Sequence, residues 1–124
     1  MNFDVLKTKS VLYVEDEESI MRSFSTVLKK LFKDVYLASD GVEGLKLFKE
    51  HQDVDFVITD IRMPNMDGLE MAKEIKDISP NTPCLLTTAH GEYEYFLQAE
   101  EIGIYRYITK PLNITELMQT LADF

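Results

Sequence analysis

The chain has 124 residues, 45% of them hydrophobic, which is enough for one compact domain with a real core. Acidic residues outnumber basic ones, 22 against 13, and the formal charge of −9 excludes a nucleic-acid surface on this domain, because phosphate binding needs clustered Lys and Arg. No apolar run approaches a membrane span, residues 1–10 do not read as a signal peptide, and the lone Cys84 reads as a small buried hydrophobe, so a cytoplasmic protein is expected.

Residues 1–9 form a short lead-in to a single domain that occupies the rest of the chain. Val11-Leu12-Tyr13-Val14 is an apolar run that passes straight into Glu15-Asp16. Ile20, Phe24, Val27, Leu28 and Leu31 then fall on one helix face. Val35 to Ala38 predicts a second strand, and Gly41 to Glu50 a second helix with Val42, Leu45 and Phe48 apolar. Phe56-Val57-Ile58-Thr59 is a third strand that ends at Asp60 and is followed at once by Ile61-Arg62-Met63-Pro64. A third helix over Gly68 to Ile78 offers Leu69, Ala72, Ile75 and Ile78, and Ser79-Pro80-Asn81-Thr82-Pro83 stops it. Cys84-Leu85-Leu86 leads into Thr87-Thr88; Glu94 to Ile102 predicts a fourth helix with Gly103 as its stop. Tyr107-Ile108-Thr109 leads into Lys110-Pro111, and Ile114, Leu117, Met118 and Leu121 define a fifth helix.

Three helix starts share one capping pattern: Asp40 precedes Glu43, Asp67 precedes Glu70, and Asn113 precedes Glu116, each by three positions. The short side chain accepts from free N–H groups of the first turn, and the Glu is expected to reach back to the cap. Repeated strand–helix order with unalternated central strands predicts a parallel sheet covered by helices on both faces. In such sheets ligands bind at the C-terminal ends of the strands. Those ends carry Glu15, Asp16, Asp60, the Thr87-Thr88 hydroxyls and Lys110, a set suited to a divalent metal and a phosphoryl group.

Four segments in order carry a family resemblance: Tyr13-Val14-Glu15-Asp16-Glu17, Thr59 through Gly68, Leu86-Thr87-Thr88-Ala89, and Tyr107-Ile108-Thr109-Lys110-Pro111. From about Ser10 to the C-terminus the chain resembles the receiver domain of two-component response regulators, in the chemotaxis-regulator-like superfamily. The resemblance implies an α/β, flavodoxin-like, doubly wound sheet of five parallel strands in the order 2-1-3-4-5 with five helices. It implies that Asp60 is the phosphoacceptor and that a sensor histidine kinase or phosphotransfer protein supplies the phosphoryl group. Asp16 and Asp60 would bind Mg2+, with Mn2+ as an alternative, together with the Arg62 backbone carbonyl; Glu15 would act through bound water. Octahedral oxygen coordination with retained waters suits Mg2+, and three converging carboxylates repel one another without a cation. Glu17 reads as a solvated residue at a helix start.

By the same resemblance Lys110 contacts the phosphoryl group, aimed into the cleft by a cis Lys110–Pro111 bond. Thr88, ahead of its neighbour Thr87, is the hydroxyl that swings toward the phosphoryl group, and Tyr107 turns inward with it. Arg62 and His90, two residues after Asp60 and Thr88, tune the hydrolysis rate. Tyr93, Tyr95, Phe96, Tyr105 and Tyr107 crowd the face formed by helix 4, strand 5 and helix 5, through which a homodimer or an output would dock; Phe96 is first among them for the core. Neither His51 nor His90 has a partner at ligand spacing.

The expected role is a signalling switch that catalyses only its own phosphorylation and dephosphorylation. One alternative is a metal-dependent phosphohydrolase with an aspartyl nucleophile, but such enzymes need a second acid two residues on, where this chain has Arg62. A nucleotide-binding module is disfavoured because Glu15-Asp16 replaces a Gly-rich phosphate loop after the first strand. The tail Leu121 to Phe124 has no cap or linker, which favours a segment of a longer chain.

Overall fold

The structure is a computed structural model that describes residues 3–89, 94–104 and 106–121. Its elements in chain order are a 3₁₀ turn (Phe3–Thr8), β1 (Ser10–Val14), α1 (Glu18–Leu31), β2 (Asp34–Ala38), α2 (Gly41–Glu50), β3 (Val54–Asp60), α3 (Gly68–Ile78), β4 (Cys84–Thr88), α4 (Tyr95–Glu101), β5 (Arg106–Thr109) and α5 (Ile114–Leu121). The five strands are parallel and lie in the order β2-β1-β3-β4-β5, the flavodoxin-like arrangement expected.

Strand alternation divides the core in two. Leu12, Val14, Val57 and Leu86 face one cluster, which is completed by Leu45 and Phe48 of α2 and by Met71, Ala72 and Ile75 of α3. Val11, Tyr13, Ile58, Leu85 and Ile108 face the other, completed by Phe24 and Leu28 of α1 and by Leu117, Met118 and Leu121 of α5. β1 and β4 are buried along their whole length, which is why they read as unbroken apolar runs.

The three predicted caps form. Asp40, Asp67 and Asn113 accept from the backbone N–H of Glu43, Glu70 and Glu116 at 2.8, 2.8 and 3.0 Å. Two of the three Glu side chains find other partners. Glu43 accepts from the Ser39 hydroxyl, and Glu116 accepts from the Thr109 N–H. Gly103 ends α4 in the left-handed region, φ 85°, and the Ile104 N–H returns to the Ala99 carbonyl.

Several expectations shift. Val42, Ile78 and Ile114 are exposed rather than core-facing. Val42 and Ile78 lie at the edges of their helices' apolar stripes, whereas Ile114 shares the face of Leu117 and Leu121 but is the first residue of α5. α4 is shorter than Glu94 to Ile102 by one residue at each end. The lead-in is also structured: Leu6 is fully buried in the α1/α5-side core, and the 3₁₀ turn packs against α1.

Cys84 is 4% exposed, and burial pushes its thiol up to about 11. At pH 8 the folded protein should therefore react with a thiol reagent roughly a hundredfold more slowly than the denatured chain. Equal rates measured by absorbance would contradict this packing.

Candidate acid–lysine site

β1 and β3 end side by side, with Val14 paired to Thr59, so Glu15 and Asp60 emerge next to each other at the C-terminal rim. Alternation places both on the α1/α5 side of the sheet, where Lys110 enters from β5. The Lys110 ammonium lies 2.9 Å from Asp60 Oδ2 and 3.2 Å from Glu15 Oε1. It donates to Asp60; toward Glu15 it is close enough for an ion pair but not aligned for a hydrogen bond. The Lys110–Pro111 bond is cis, and the Lys110 N–H donates to the Thr88 carbonyl at 2.7 Å. Asp60 Oδ1 accepts from its neighbour's amide, Ile61 N, at 2.9 Å.

Glu15 is 1% exposed and Asp60 5% exposed, so both carboxylates are taken out of water. Burial, reinforced by the Asp60 charge, raises the Glu15 carboxyl to about 7, against the lowering effects of the Glu17 N–H and Lys110. Burial alone would lower Lys110, but its hydrogen bond to Asp60 and the charges of Asp60 and Glu15 hold it above the ordinary lysine value. The buried Tyr13 phenol, on the same sheet face, is kept protonated by burial and by the charges of Glu15 and Asp60.

Asp16 stays exposed at the rim, and one oxygen from each of Glu15, Asp16 and Asp60 lies within 4.8 Å of the others. These are hard oxygen donors carrying excess negative charge, a donor set that fits a hard divalent cation. Glu17 does not join them. It is exposed, precedes α1 without a side-chain cap bond, and donates its N–H to Glu15 Oε2 at 3.1 Å.

The two threonines divide between the faces. Thr87 is paired in register with Asp60 and by alternation shares its face, fully buried, whereas Thr88 pairs with Thr109 and faces the other core. Tyr107 shares the face of Thr88. It is half-buried, its ring centroid 4.4 Å from that of Phe96, and its hydroxyl donates to the Ile104 carbonyl at 3.2 Å. Arg62 is exposed on the loop that follows Asp60. His90, Tyr93 and Tyr105 lie outside the described residues. His51 stacks on Tyr36 at 4.0 Å, and among the described residues it belongs to no group of three or more potential metal ligands.

Gly68 explains how the loop closes on Asp60. Its N–H donates to the Ile61 carbonyl at 2.7 Å, and a Cβ there would collide with the Asp60 carbonyl oxygen. This close approach is the reason for glycine at position 68.

The fold and this pocket define a doubly wound α/β protein that gathers acids and one ammonium at its strand ends. Residues 11–122 match the response regulator receiver domain, and the chain belongs to that family. The chemotaxis protein CheY of Halobacterium salinarum is 34% identical over 115 residues, which cover 93% of this chain and 95% of that protein. The transcriptional regulatory protein GlrR of Escherichia coli is 32% identical over 117 residues, 94% of this chain but 26% of GlrR. The chain thus spans about a quarter of that regulator's length. Among solved structures, the N-terminal domain of a Wolinella succinogenes protein has a TM-score of 0.85 at 38% identity, covering 94% of this chain and 93% of that one. A chain from the CheX–CheY–BeF3–Mg2+ complex of Borrelia burgdorferi has a TM-score of 0.85 at 26% identity, covering 99% and 93%.

Because the folded Glu15 carboxyl sits above its ordinary value of 4.5, the folded state binds more protons than the unfolded chain between that value and about 7. Metal-free protein should therefore lose stability as pH rises across this window, by a few kcal/mol at most, and Glu15→Gln should flatten that slope. Urea unfolding at pH 5 and pH 8 in the presence of a chelator measures it, and parallel curves for the two proteins would refute the assigned shift.

Proposed function

We propose that this receiver domain takes a phosphoryl group from the histidine of a sensor kinase or phosphotransfer protein onto Asp60, and that it works as a signalling switch in the cytoplasm. The observation that carries this reading is the Lys110 ammonium held 2.9 Å from Asp60, beside two further acids. In the transfer an Asp60 oxygen attacks phosphorus, the O–P bond forms as the P–N bond breaks, and the donor imidazole keeps the electron pair. A carboxylate is a weak nucleophile, so the work lies in positioning and charge. The Ile61 N–H and Lys110 fix the Asp60 carboxylate, and Lys110 can follow the charge onto the phosphoryl oxygens.

Asp16, Asp60 and the Arg62 carbonyl would hold Mg2+ or Mn2+, with Glu15 acting through water. When bound, the cation supplies neutralisation of the phosphoryl oxygens. An apolar groove of about 410 Å³ opens beside Lys110, lined by Ile20, Phe24, Val27, Pro111 and Leu112, and gives a protein donor a surface on which to seat. Thr88 would turn toward the phosphorylated rim, and Tyr107, already drawn against Phe96, would settle further into the space beside it. The α4–β5–α5 face, with Leu97 and Ile114 exposed, is the surface for a homodimer or an output.

The domain turns over only its own phosphoryl group. The phosphohydrolase alternative is not favoured, since Arg62 stands where a second acid is required. Acetyl phosphate with Mg2+ should add one phosphoryl group to the chain by mass spectrometry, and Asp60→Asn should abolish it. BeF3 with Mg2+, the pair named in the Borrelia complex, serves as a stable probe of the same site. Unchanged labelling of Asp60→Asn, or multiple turnover on a phosphate monoester, would sink the assignment.

Arg62 and His90 are proposed to shield the acyl phosphate from water. Replacing both with Ala should shorten the phosphoryl half-life severalfold, followed by loss of label after donor removal. An unchanged half-life would end this role.

A further inference from the structure

The loop between β3 and α3 is tied down at two places. Inside, the Gly68 N–H donates to the Ile61 carbonyl, which closes the loop on itself. Outside, it is fastened to the start of α2, a helix that contributes no residue to the acid–lysine site. The Asn65 amide donates to Asp40 Oδ2 at 2.7 Å, and the Gly41 N–H donates to the Met66 carbonyl at 3.0 Å. Asp40 uses its other oxygen to cap α2 through the Glu43 N–H. The two bonds together draw its carboxyl below the usual carboxylate range. The fit is tight, because a Cβ at Gly41 would strike the Met66 carbonyl oxygen.

Asn65 is also the one non-glycine residue with positive φ among the described residues, at 68°. Asparagine tolerates this region better than most residues, and its amide here makes a charge-assisted bond. Asp40 and Asn65 are 25 residues apart, so neither residue's local role explains the contact. Between the two fastenings runs the arc from Arg62 to Pro64, and Arg62 is exposed. Where the Arg62 carbonyl points is therefore set by where the loop is pinned.

We propose that the Asp40–Asn65 hydrogen bond positions the loop that presents the Arg62 carbonyl, making Asp40 and Asn65 positioning residues of the cation site. This rests on the cation reading given above. It assigns the cap of α2 a second task, holding an element of the site from outside.

The test is Mg2+ binding to the whole chain by titration calorimetry, without a phosphoryl donor. Asn65→Ala and Asp40→Asn should each bind Mg2+ roughly three- to tenfold more weakly than the parent protein. Asn65→Gly, which removes the amide without burdening the positive φ, should match Asn65→Ala. The double swap, Asp40→Asn with Asn65→Asp, places the amide on the helix and the carboxylate on the loop at unchanged net charge. It should recover affinity to within about twofold. Asn113→Ala, which loses the α5 cap and its stability without touching this loop, should leave affinity unchanged. The proposal is overturned if the single variants bind Mg2+ like the parent, or if the swap stays as weak as they are. If the parent binds no Mg2+, or binds it equally well after Asp16→Asn, the cation reading falls and this inference falls with it.

Discussion

Two carboxylates removed from water beside each other cannot both stay ionised without a compensating charge. The Lys110 ammonium supplies that charge here, reaching from β5 to Asp60 and Glu15 at the ends of β3 and β1. The compensation is partial. One ammonium faces two buried acids, with Asp16 close by, and the Glu15 carboxyl is pushed toward its neutral form. The pocket therefore carries more negative than positive charge, a balance that a hard divalent cation fits.

This arrangement follows from the sheet. A parallel doubly wound sheet brings every strand's C-terminal end to one rim, so groups distant in sequence meet without long loops. The residues that hold the rim in shape are mostly backbone donors and small side chains. The Ile61 N–H orients Asp60, the Thr88 carbonyl holds the Lys110 amide, and Gly68 lets α3 start against the Asp60 carbonyl. The chemistry-bearing side chains are few, and the positioning falls to main-chain groups that a larger side chain at position 68 would displace.

What was legible in the chain was what depends on local rules. Asp40, Asp67 and Asn113 cap their helices because a short acceptor three residues before a Glu meets free N–H groups in any surroundings. The strand ends were legible because the apolar runs stop where polar side chains begin, at Glu15, Asp60 and Thr87. Features set by distant partners were harder to read. Glu43 and Glu116 turn to Ser39 and Thr109 instead of their own caps. Thr87 and Thr88 are chemically alike, and only the register with Asp60 shows which of them shares its face. The burial of Leu6 has no periodic signal in so short a segment, and the bond between Asp40 and Asn65 joins two loops that nothing in their sequences pairs.

The buried Leu6 has a practical outcome. It anchors the 3₁₀ turn at the start of β1, while the acids sit where β1 ends. Five strand residues separate the two, about 16 Å at the usual rise per residue. Lys7, exposed on that turn, is therefore a handle on the far rim of the molecule. A fluorophore or surface linker attached there would ride on an ordered element and leave the approach to Asp60 open to a docking protein.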